Sequence, residues 1–196
     1  MLRRTGRRVP RKDSGRGQDR MKTIVLYESK YGAARTYAKI LSQKTGADLA
    51  ELSGTKAGTL GAYDAVLLCG GVYAGKIAGL KFFRKHASLL REKRAAVFAV
   101  GLSPADEATL AALRRANMTD RLADVPLFYG RGAWKHGSLS AGDRFFCRLL
   151  HGMLRNKAPE TYEEAWMPAF MNCYGKDCDL TDENYLNPVI GWVNGQ

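Results

Sequence analysis

Short runs of apolar residues alternate along this chain with longer segments in which apolar residues recur at helical spacing. The apolar runs predict strands, because a strand covered on both faces needs no polar position. The predicted strands are Ile24–Tyr27, Ala47–Leu52, Ala62–Gly70, Ala95–Val100 and Ala123–Tyr129. Helical spacing predicts helices over residues 33–41, 77–90, 104–117 and 140–154, and a less regular closing helix over 184–193. This alternation predicts an α/β protein with a parallel sheet between two layers of helices.

The turn after the first predicted strand is the first candidate for a ligand site. Residues 29–32 interrupt the apolar run, and the helical pattern starts at Ala33. A strand that enters a helix through such a turn leaves several backbone N–H groups unpaired at the positive end of the helix dipole. We therefore expect the turn to bind an anion, and a phosphate in particular.

Two further turns are predicted at the same edge of the sheet, because ligands of such sheets lie beyond the carboxyl ends of the strands. They are residues 71–76 and 101–103, and both contain glycine. Glycines let the backbone approach a flat ligand closely. Tyr73 offers a ring for stacking and Lys76 a cation. The alternative is a flexible loop in which Tyr73 covers the core.

The sequence YESKYGAARTYA resembles the flavodoxin signature, with matching residues at Tyr27, Ser29, Gly32, Ala38 and Leu41. The resemblance implies a flavodoxin-like three-layer sandwich with a five-stranded parallel sheet in the order 2-1-3-4-5, and FMN as the cofactor. Ala34 stands where the family usually has threonine. The change removes a hydroxyl donor to the phosphate, and the cation of Lys30 partly compensates.

The resemblance also implies which residues hold FMN. The turn would wrap the phosphate, Tyr73 would contact the isoalloxazine ring, and backbone N–H groups of the two other turns would face the ring nitrogens and carbonyls. The predicted cofactor-binding residues are Ser29, Lys30, Tyr31, Gly32, Ala33, Ala34, Gly71, Val72, Tyr73, Ala74, Gly75, Gly101, Leu102 and Ser103.

Residues 21–155 resemble bacterial flavodoxin-domain proteins, which are similar to the menaquinone-linked protoporphyrinogen dehydrogenases of haem synthesis. The resemblance runs through GGVYAGKIAGLKFFRKHASLL, VFAVGLSP and LFYGRGAWKHGSLSAGDRFFCRLL. It implies an FMN-dependent oxidoreductase or electron-transfer protein, with a porphyrinogen substrate, a quinone acceptor or a redox partner protein. His136 is the candidate for proton delivery. Arg131 and Lys135 are candidates to pair with a propionate, and ordinary solvated loop residues are the alternative for all three.

A protein of another class fits the same fold. A flavodoxin-like interaction module that has lost tight FMN binding would also show Ala34 in the turn, and its basic surface would recruit an acidic partner. Flavin content discriminates this module from the oxidoreductase.

The predicted helix over 140–154 allows two interpretations. Its apolar residues are Phe146, Leu149, Leu150 and Met153, and its basic residues are Arg144, Arg148 and Arg155. Packing against the sheet is the favoured explanation. Contact with an anionic membrane, where a quinone is met, is the alternative.

Charge and cysteine content narrow the remaining classes. The net charge is +12, and residues 1–20 contribute half of it with almost no apolar residue. We expect that segment to be a disordered basic tail, or sequence upstream of the true start at Met21, before a single domain over 21–196 with an irregular stretch near 156–183. The four cysteines are predicted to be reduced thiols, which indicates a cytoplasmic protein. A peripheral contact with the cell membrane is the option that the helix over 140–154 leaves open. Neither a metal site nor nucleic-acid binding is expected.

Overall fold

A five-stranded parallel sheet lies at the centre of the protein, as its computed structural model shows for the described residues 21–195. The predicted tail over 1–20 lies outside the described residues. The strands of the chain are β1 (Thr23–Glu28), β2 (Asp48–Glu51), β3 (Ala65–Tyr73), β4 (Lys76–Ile77), β5 (Arg94–Gly101), β6 (Leu127–Arg131), β7 (Ala133–Trp134) and β8 (Cys178–Asp179). The parallel strands run in the order β2-β1-β3-β5-β6, and the short β4 pairs antiparallel with β3. Counting the five parallel strands alone, this is the predicted order.

Helices cover both faces of the sheet. They are α1 (Ala33–Thr45), α2 (Leu80–Lys85), α3 (Ala87–Arg91), α4 (Glu107–Asn117), α5 (Ala141–Leu154), α6 (Trp166–Cys173) and α7 (Asn187–Val193). Alternate residues of each strand face opposite layers. Leu26 packs in a cluster with residues of α2, α3 and α4, whereas Val25 packs with residues of α1 and α7. The predicted α/β flavodoxin-like sandwich is therefore confirmed.

Several element boundaries differ from the sequence prediction. The helix predicted from Pro104 begins at Glu107, because the side chain of Asp106 accepts the N–H of Thr109 (2.8 Å) and caps it there. The segment predicted as one helix over 77–90 contains β4 and two short helices that meet at His86. The last parallel strand begins at Leu127, four residues later than predicted.

Residues 132–182, between β6 and the final helical region, form a separate layer that we call the β6–α7 segment. It contains α5, α6 and the two-stranded sheet of β7 and β8. Its small core is centred on Leu139, Cys147, Leu154 and Phe170. Helix α5 matches its predicted bounds, but its buried residues pack in this core, so packing against the sheet was the wrong explanation for its apolar pattern.

The cysteines divide into a pair and two single residues. Cys173 at the end of α6 and Cys178 in β8 form a disulfide with their Cα atoms 5.7 Å apart, so the expectation of reduced thiols is wrong for this pair. Cys69 and Cys147 are free and buried. Burial raises the pKa of the Cys69 thiol, which is therefore neutral and inert.

Candidate functional site

The carboxyl ends of four parallel strands meet at one edge of the sheet. Glu28 at the end of β1 pairs with Gly70 in β3, Gly71 pairs with Val100 in β5, and Gly101 pairs with Arg131 at the end of β6. The three segments that the sequence singles out therefore lie at neighbouring positions. The predicted turn over 71–76 is shorter than expected, because β3 continues to Tyr73 and only Ala74 and Gly75 form the turn into β4. This is the edge at which open α/β sheets bind their ligands.

The turn between β1 and α1 presents backbone N–H groups at the start of the helix. Gly32 has a φ of +96°, in the left-handed region that glycine tolerates, and its N–H donates to the Ser29 hydroxyl (3.0 Å). The N–H of Thr36 is the first to bond within the helix, to the carbonyl of Gly32 (2.9 Å). Between residues 21 and 195 there is no acceptor for the N–H groups of Ala33 and Ala34. This is the geometry of an anion site.

Tyr73 already places an oxygen atom against this turn. The N–H of Lys30 donates to its hydroxyl oxygen (2.8 Å). Burial raises the pKa of the Tyr73 phenol, and the N–H groups of Lys30 and Tyr31, which favour the phenolate, oppose that rise. The Tyr73 ring lies over Gly71, where an added Cβ would sit only 2.5 Å from the phenol oxygen. Glycine at 71 is therefore required for this arrangement.

Asp143 of α5 binds the turn from the other side. Its carboxylate accepts hydrogen bonds from the Tyr31 hydroxyl and from Ser140 (2.8 Å), and forms an ion pair with Lys30. These partners, Lys30 first, lower the pKa of Asp143 to about 2, and the same ion pair raises the pKa of Lys30. Lys30 is thus at the turn as predicted, but its charge is paired with a carboxylate of the β6–α7 segment.

The turn after β5 is held by two side chains of β6. The Tyr129 hydroxyl donates to the carbonyl of Ser103 (3.0 Å), and the Arg131 guanidinium donates to the carbonyl of Leu102 (3.2 Å). Burial raises the pKa of Tyr129, so the phenol stays neutral and remains a donor. The Nε of Arg131 is buried and has no acceptor among residues 21–195. This places one donor of a permanent cation beside the predicted flavin turn without a partner.

Other candidate residues lie further from this edge or face away from it. The Lys76 ammonium donates to the carbonyl of Ala116 (3.2 Å), at the end of α4. His136 belongs to the β6–α7 segment. Its ring Nδ1 accepts the backbone N–H of Gly175 (3.3 Å), and its backbone N–H donates to the Asp177 carboxylate (2.8 Å). The side chain of Ala34 is 1% exposed and lies on the buried face of α1, so a threonine hydroxyl at that position would lie in the core.

The turn fits a phosphate group. It already accommodates the oxygen of Tyr73 at its N–H groups, and the free N–H groups of Ala33 and Ala34 offer further donors. The Ser29 hydroxyl, which accepts from Gly32, keeps its own hydrogen for a ligand oxygen. A phosphate has to compete with two groups, the Tyr73 hydroxyl and the Asp143 carboxylate. Among the described residues, no cluster of His, Cys, Asp and Glu has the arrangement of a metal site.

Two residues of this site were missed from the sequence as parts of a binding surface. They are Asp143, in the first turn of α5, and Tyr129, which the sequence predicts only as the last residue of a strand. Asp143 lies 112 positions from Tyr31 in sequence. No local pattern signals such a contact, whereas the position of Tyr129 near the end of a predicted strand could have marked it as facing the ligand edge.

A sequence model described as the flavodoxin domain matches residues 24–160, which is most of the chain. The chain belongs to the flavodoxin-domain family. No curated protein matches this flavodoxin-domain protein. Its family assignment agrees with the strand order and with the turn after β1, and supports a flavoprotein fold of the electron-transfer type.

Solved structures of flavodoxin type resemble this protein at low identity. A flavoprotein from Bacteroides eggerthii is 15% identical, covers 70% of this chain and 99% of its own, and has a TM-score of 0.44. An archaeal flavodoxin is 19% identical over 66% of this chain and 92% of its own, with a TM-score of 0.38. A Lactobacillus acidophilus flavoprotein in complex with FMN is 16% identical over 57% and 92%, with a TM-score of 0.37. At these values the family assignment rests on the sequence match.

Proposed function

We propose that this flavodoxin-domain protein binds FMN and acts as an oxidoreductase or electron-transfer protein. The observation that supports this most directly is the turn after β1 at the ligand edge of the sheet, where the N–H of Lys30 donates to the Tyr73 hydroxyl and the N–H groups of Ala33 and Ala34 have no acceptor among residues 21–195. Residues 29–34 would hold the phosphate, and two segments would contact the ring: the end of β3 with its turn, over 71–75, and the turn over 101–103. Bound flavin supplies the electron chemistry, whereas the protein orients the ring and sets its potential.

The same proposal assigns separate tasks to the charged and aromatic residues of the site. A phosphate at the N–H of Lys30 would take the place of the Tyr73 hydroxyl, and the Tyr73 ring would then be available to contact the flavin. Arg131 holds the 101–103 turn and keeps one unpaired N–H beside it. A cation near the ring favours flavin carrying negative charge, because opposite charges attract strongly where water is excluded.

Flavin extraction and titration test this function. Purified protein is expected to be yellow, to release FMN on denaturation, and to bind added FMN more tightly than riboflavin, which lacks the phosphate. A colourless protein that also fails to bind added FMN would overturn the proposal.

We further propose a porphyrinogen as substrate and a quinone or a redox partner protein as acceptor, which would place the protein in haem biosynthesis. The support is the sequence resemblance over residues 21–155 and the basic side chains of Arg131 and Lys135 after the last parallel strand. A cytoplasmic protein with a peripheral membrane contact suits a lipid-soluble acceptor. Oxidation of protoporphyrinogen by the FMN-loaded protein with menaquinone tests this. If other donors reduce the flavin and protoporphyrinogen does not, the proposed substrate is rejected, whereas the proposal that the protein is an FMN-dependent oxidoreductase is retained.

The second candidate is an interaction module without tight FMN binding. It is favoured by two groups that lie against the turn: the Tyr73 hydroxyl, which accepts the N–H of Lys30, and the Asp143 carboxylate, which binds the side chains of Lys30 and Tyr31. The double variant Tyr73→Phe, Asp143→Asn removes both competitors. If this variant binds FMN and the natural protein does not, the turn over residues 29–34, called the phosphate turn below, can bind a phosphate but is occupied by these two groups in the natural protein. If neither binds, the module is the better description.

A further inference from the structure

The outward face of α5 carries an unusual concentration of exposed apolar side chains. Among the described residues, four of the five exposed large hydrophobic side chains lie on this helix, at 51% to 68% exposure: Phe145, Phe146, Leu149 and Met153. The fifth is Leu49 on the edge strand β2, at 37%. Single exposed apolar residues are ordinary, but a contiguous group marks an interaction surface.

These side chains form one stripe along the helix. Phe145, Leu149 and Met153 follow one another at intervals of four residues, so they stand on the same face, and Phe146 lies beside them. The opposite face packs in the core of the β6–α7 segment through Cys147 and Leu154. A groove lined by Phe145, Leu149, Gly152, Met153 and Arg148 runs along the exposed stripe.

Basic side chains flank the stripe. Arg148 and Arg155 are exposed, and neither side chain forms a hydrogen bond or an ion pair with the described part of the chain. The only acid within α5, Asp143, is turned toward the phosphate turn and paired with Lys30. Glu160, Glu163 and Glu164 follow only after the helix has ended. The charge next to the stripe is therefore positive.

We propose that this face of α5, defined by Phe145, Phe146, Leu149, Met153, Arg148 and Arg155, docks on a lipid surface that carries anionic headgroups. An amphipathic helix lying in the plane of such a surface buries its apolar side chains at the level of the acyl chains, while its arginines pair with lipid phosphates. The helix is too short to cross a bilayer, and no helix in residues 21–195 is long and apolar enough to do so. The inference specifies the membrane contact of the proposed function, but it rests on α5 and not on flavin binding.

The docking also has a consequence for the site. Because Asp143 joins the first turn of α5 to the turn after β1, a helix held on the lipid would keep the phosphate turn close to that surface. A quinone dissolved in the lipid would then reach the ligand edge without crossing bulk water.

Vesicle flotation of the full-length protein tests the proposal. We expect binding to vesicles of equal parts phosphatidylcholine and phosphatidylglycerol, and much weaker binding to phosphatidylcholine alone. The double variant Phe145→Ser, Leu149→Ser should bind the anionic vesicles about tenfold or more weakly, because two apolar side chains no longer enter the lipid. Arg148→Gln should lose about fivefold on anionic vesicles only. Leu49→Ser is the matched control and should bind as the natural protein does.

Three results would overturn the proposal. Natural protein and double variant floating equally would mean that residues 1–20 or another surface carries the binding. Equal binding to neutral and anionic vesicles would remove the role of the arginines. A dimer in sedimentation that dissociates in the double variant, without vesicle binding by either protein, would make the face an interface between two copies. Unchanged circular dichroism of the variants shows that they fold. Flavin titration is measured separately, so failure of docking and failure of FMN binding remain distinct.

Discussion

The parallel sheet and the β6–α7 segment are built in opposite ways. The strands at the centre of the sheet are covered on both faces, and residues such as Val25, Leu67 and Phe98 are fully buried. The segment has one small core, a disulfide, and a helix, α5, with four large apolar side chains that face outward. The sheet is stabilised by burial of apolar surface, whereas the segment depends on a covalent link and on polar contacts to the phosphate turn. The comparison separates the part that fixes the fold from the part that is available for interaction.

The largest expected effect is on the sheet. Phe98 is fully buried in β5 and meets Tyr37 edge to face, with ring centroids 5.2 Å apart. Phe98→Ala should lower the free energy of unfolding by about 3–5 kcal/mol, because it leaves a cavity that rigid strands cannot fill. Phe170→Ala in the segment should cost less in global denaturation and should mainly speed local hydrogen exchange of α6. Equal losses in denaturant titrations would mean that the two cores unfold as one.

The next largest effect is expected when the disulfide between Cys173 and Cys178 is removed, which should lower the stability of the β6–α7 segment. The double variant Cys173→Ser, Cys178→Ser should destabilise the segment by about 2 kcal/mol, since the link closes only a short loop. Hydrogen exchange should increase in α6 and β8, with little change in β1 and β3. Reductant should reproduce this in the natural protein and have no effect on the variant. Faster exchange throughout the sheet would show that the link stabilises the whole protein.

Removing the Tyr73 hydroxyl tests the competition at the turn. Tyr73→Phe keeps the ring but frees the N–H of Lys30, so FMN should bind about two- to tenfold more tightly, the size expected for one hydrogen bond. Riboflavin affinity should change little, because riboflavin has no phosphate. Fluorescence titration with both ligands gives the answer. A weaker FMN complex would mean that the hydroxyl contacts the bound flavin.

Asp143→Asn should act in the same direction and by less. The change removes a negative charge beside the phosphate and frees Lys30, and we expect FMN to bind about two- to fivefold more tightly, as for an exposed ion pair. The effect should shrink in high salt, where such charges are screened. Glu183→Gln is the matched control, since it removes the other ion pair of the described residues, with Lys44. Unaltered FMN affinity would place the phosphate away from Asp143.

The smallest effect is a pH dependence. The pKa of Asp143 is lowered to about 2. Its contacts with Lys30 and Tyr31 therefore stabilise the packing of α5 against the phosphate turn at pH values above the ordinary carboxyl pKa, and they are lost as the pH falls toward 2. Protection of the backbone amides of Tyr31 and Asp143 from hydrogen exchange should not depend on the Asp143 carboxylate between about pH 5 and 8. It should fall only in acid, where the carboxylate is protonated. The acid transition should disappear in Asp143→Asn. A transition that persists in the variant belongs to another carboxylate.

The sequence was sufficient for the sheet and for the phosphate turn. Unbroken apolar runs at β1, β3 and β5 can only be buried between two layers, and the residues after them necessarily meet at one edge. It was not sufficient for α5, whose apolar pattern suits burial against the sheet as well as exposure. Periodicity reports that a helix has two faces, and it does not report what covers each face.

The turn after β1 shows both what the sequence can predict and what it cannot. Ser29, Gly32 and Ala33 form the candidate anion site by local chain geometry, which depends on neighbouring residues and is therefore encoded in a short stretch of sequence. The partners of that site, Tyr73 and Asp143, come from 43 and 112 positions away. Only the tertiary structure could bring them there, because contacts between distant residues depend on how whole elements pack. The sequence alone thus determined the turn that forms the candidate anion site, and the fold decided which groups of the protein lie against it.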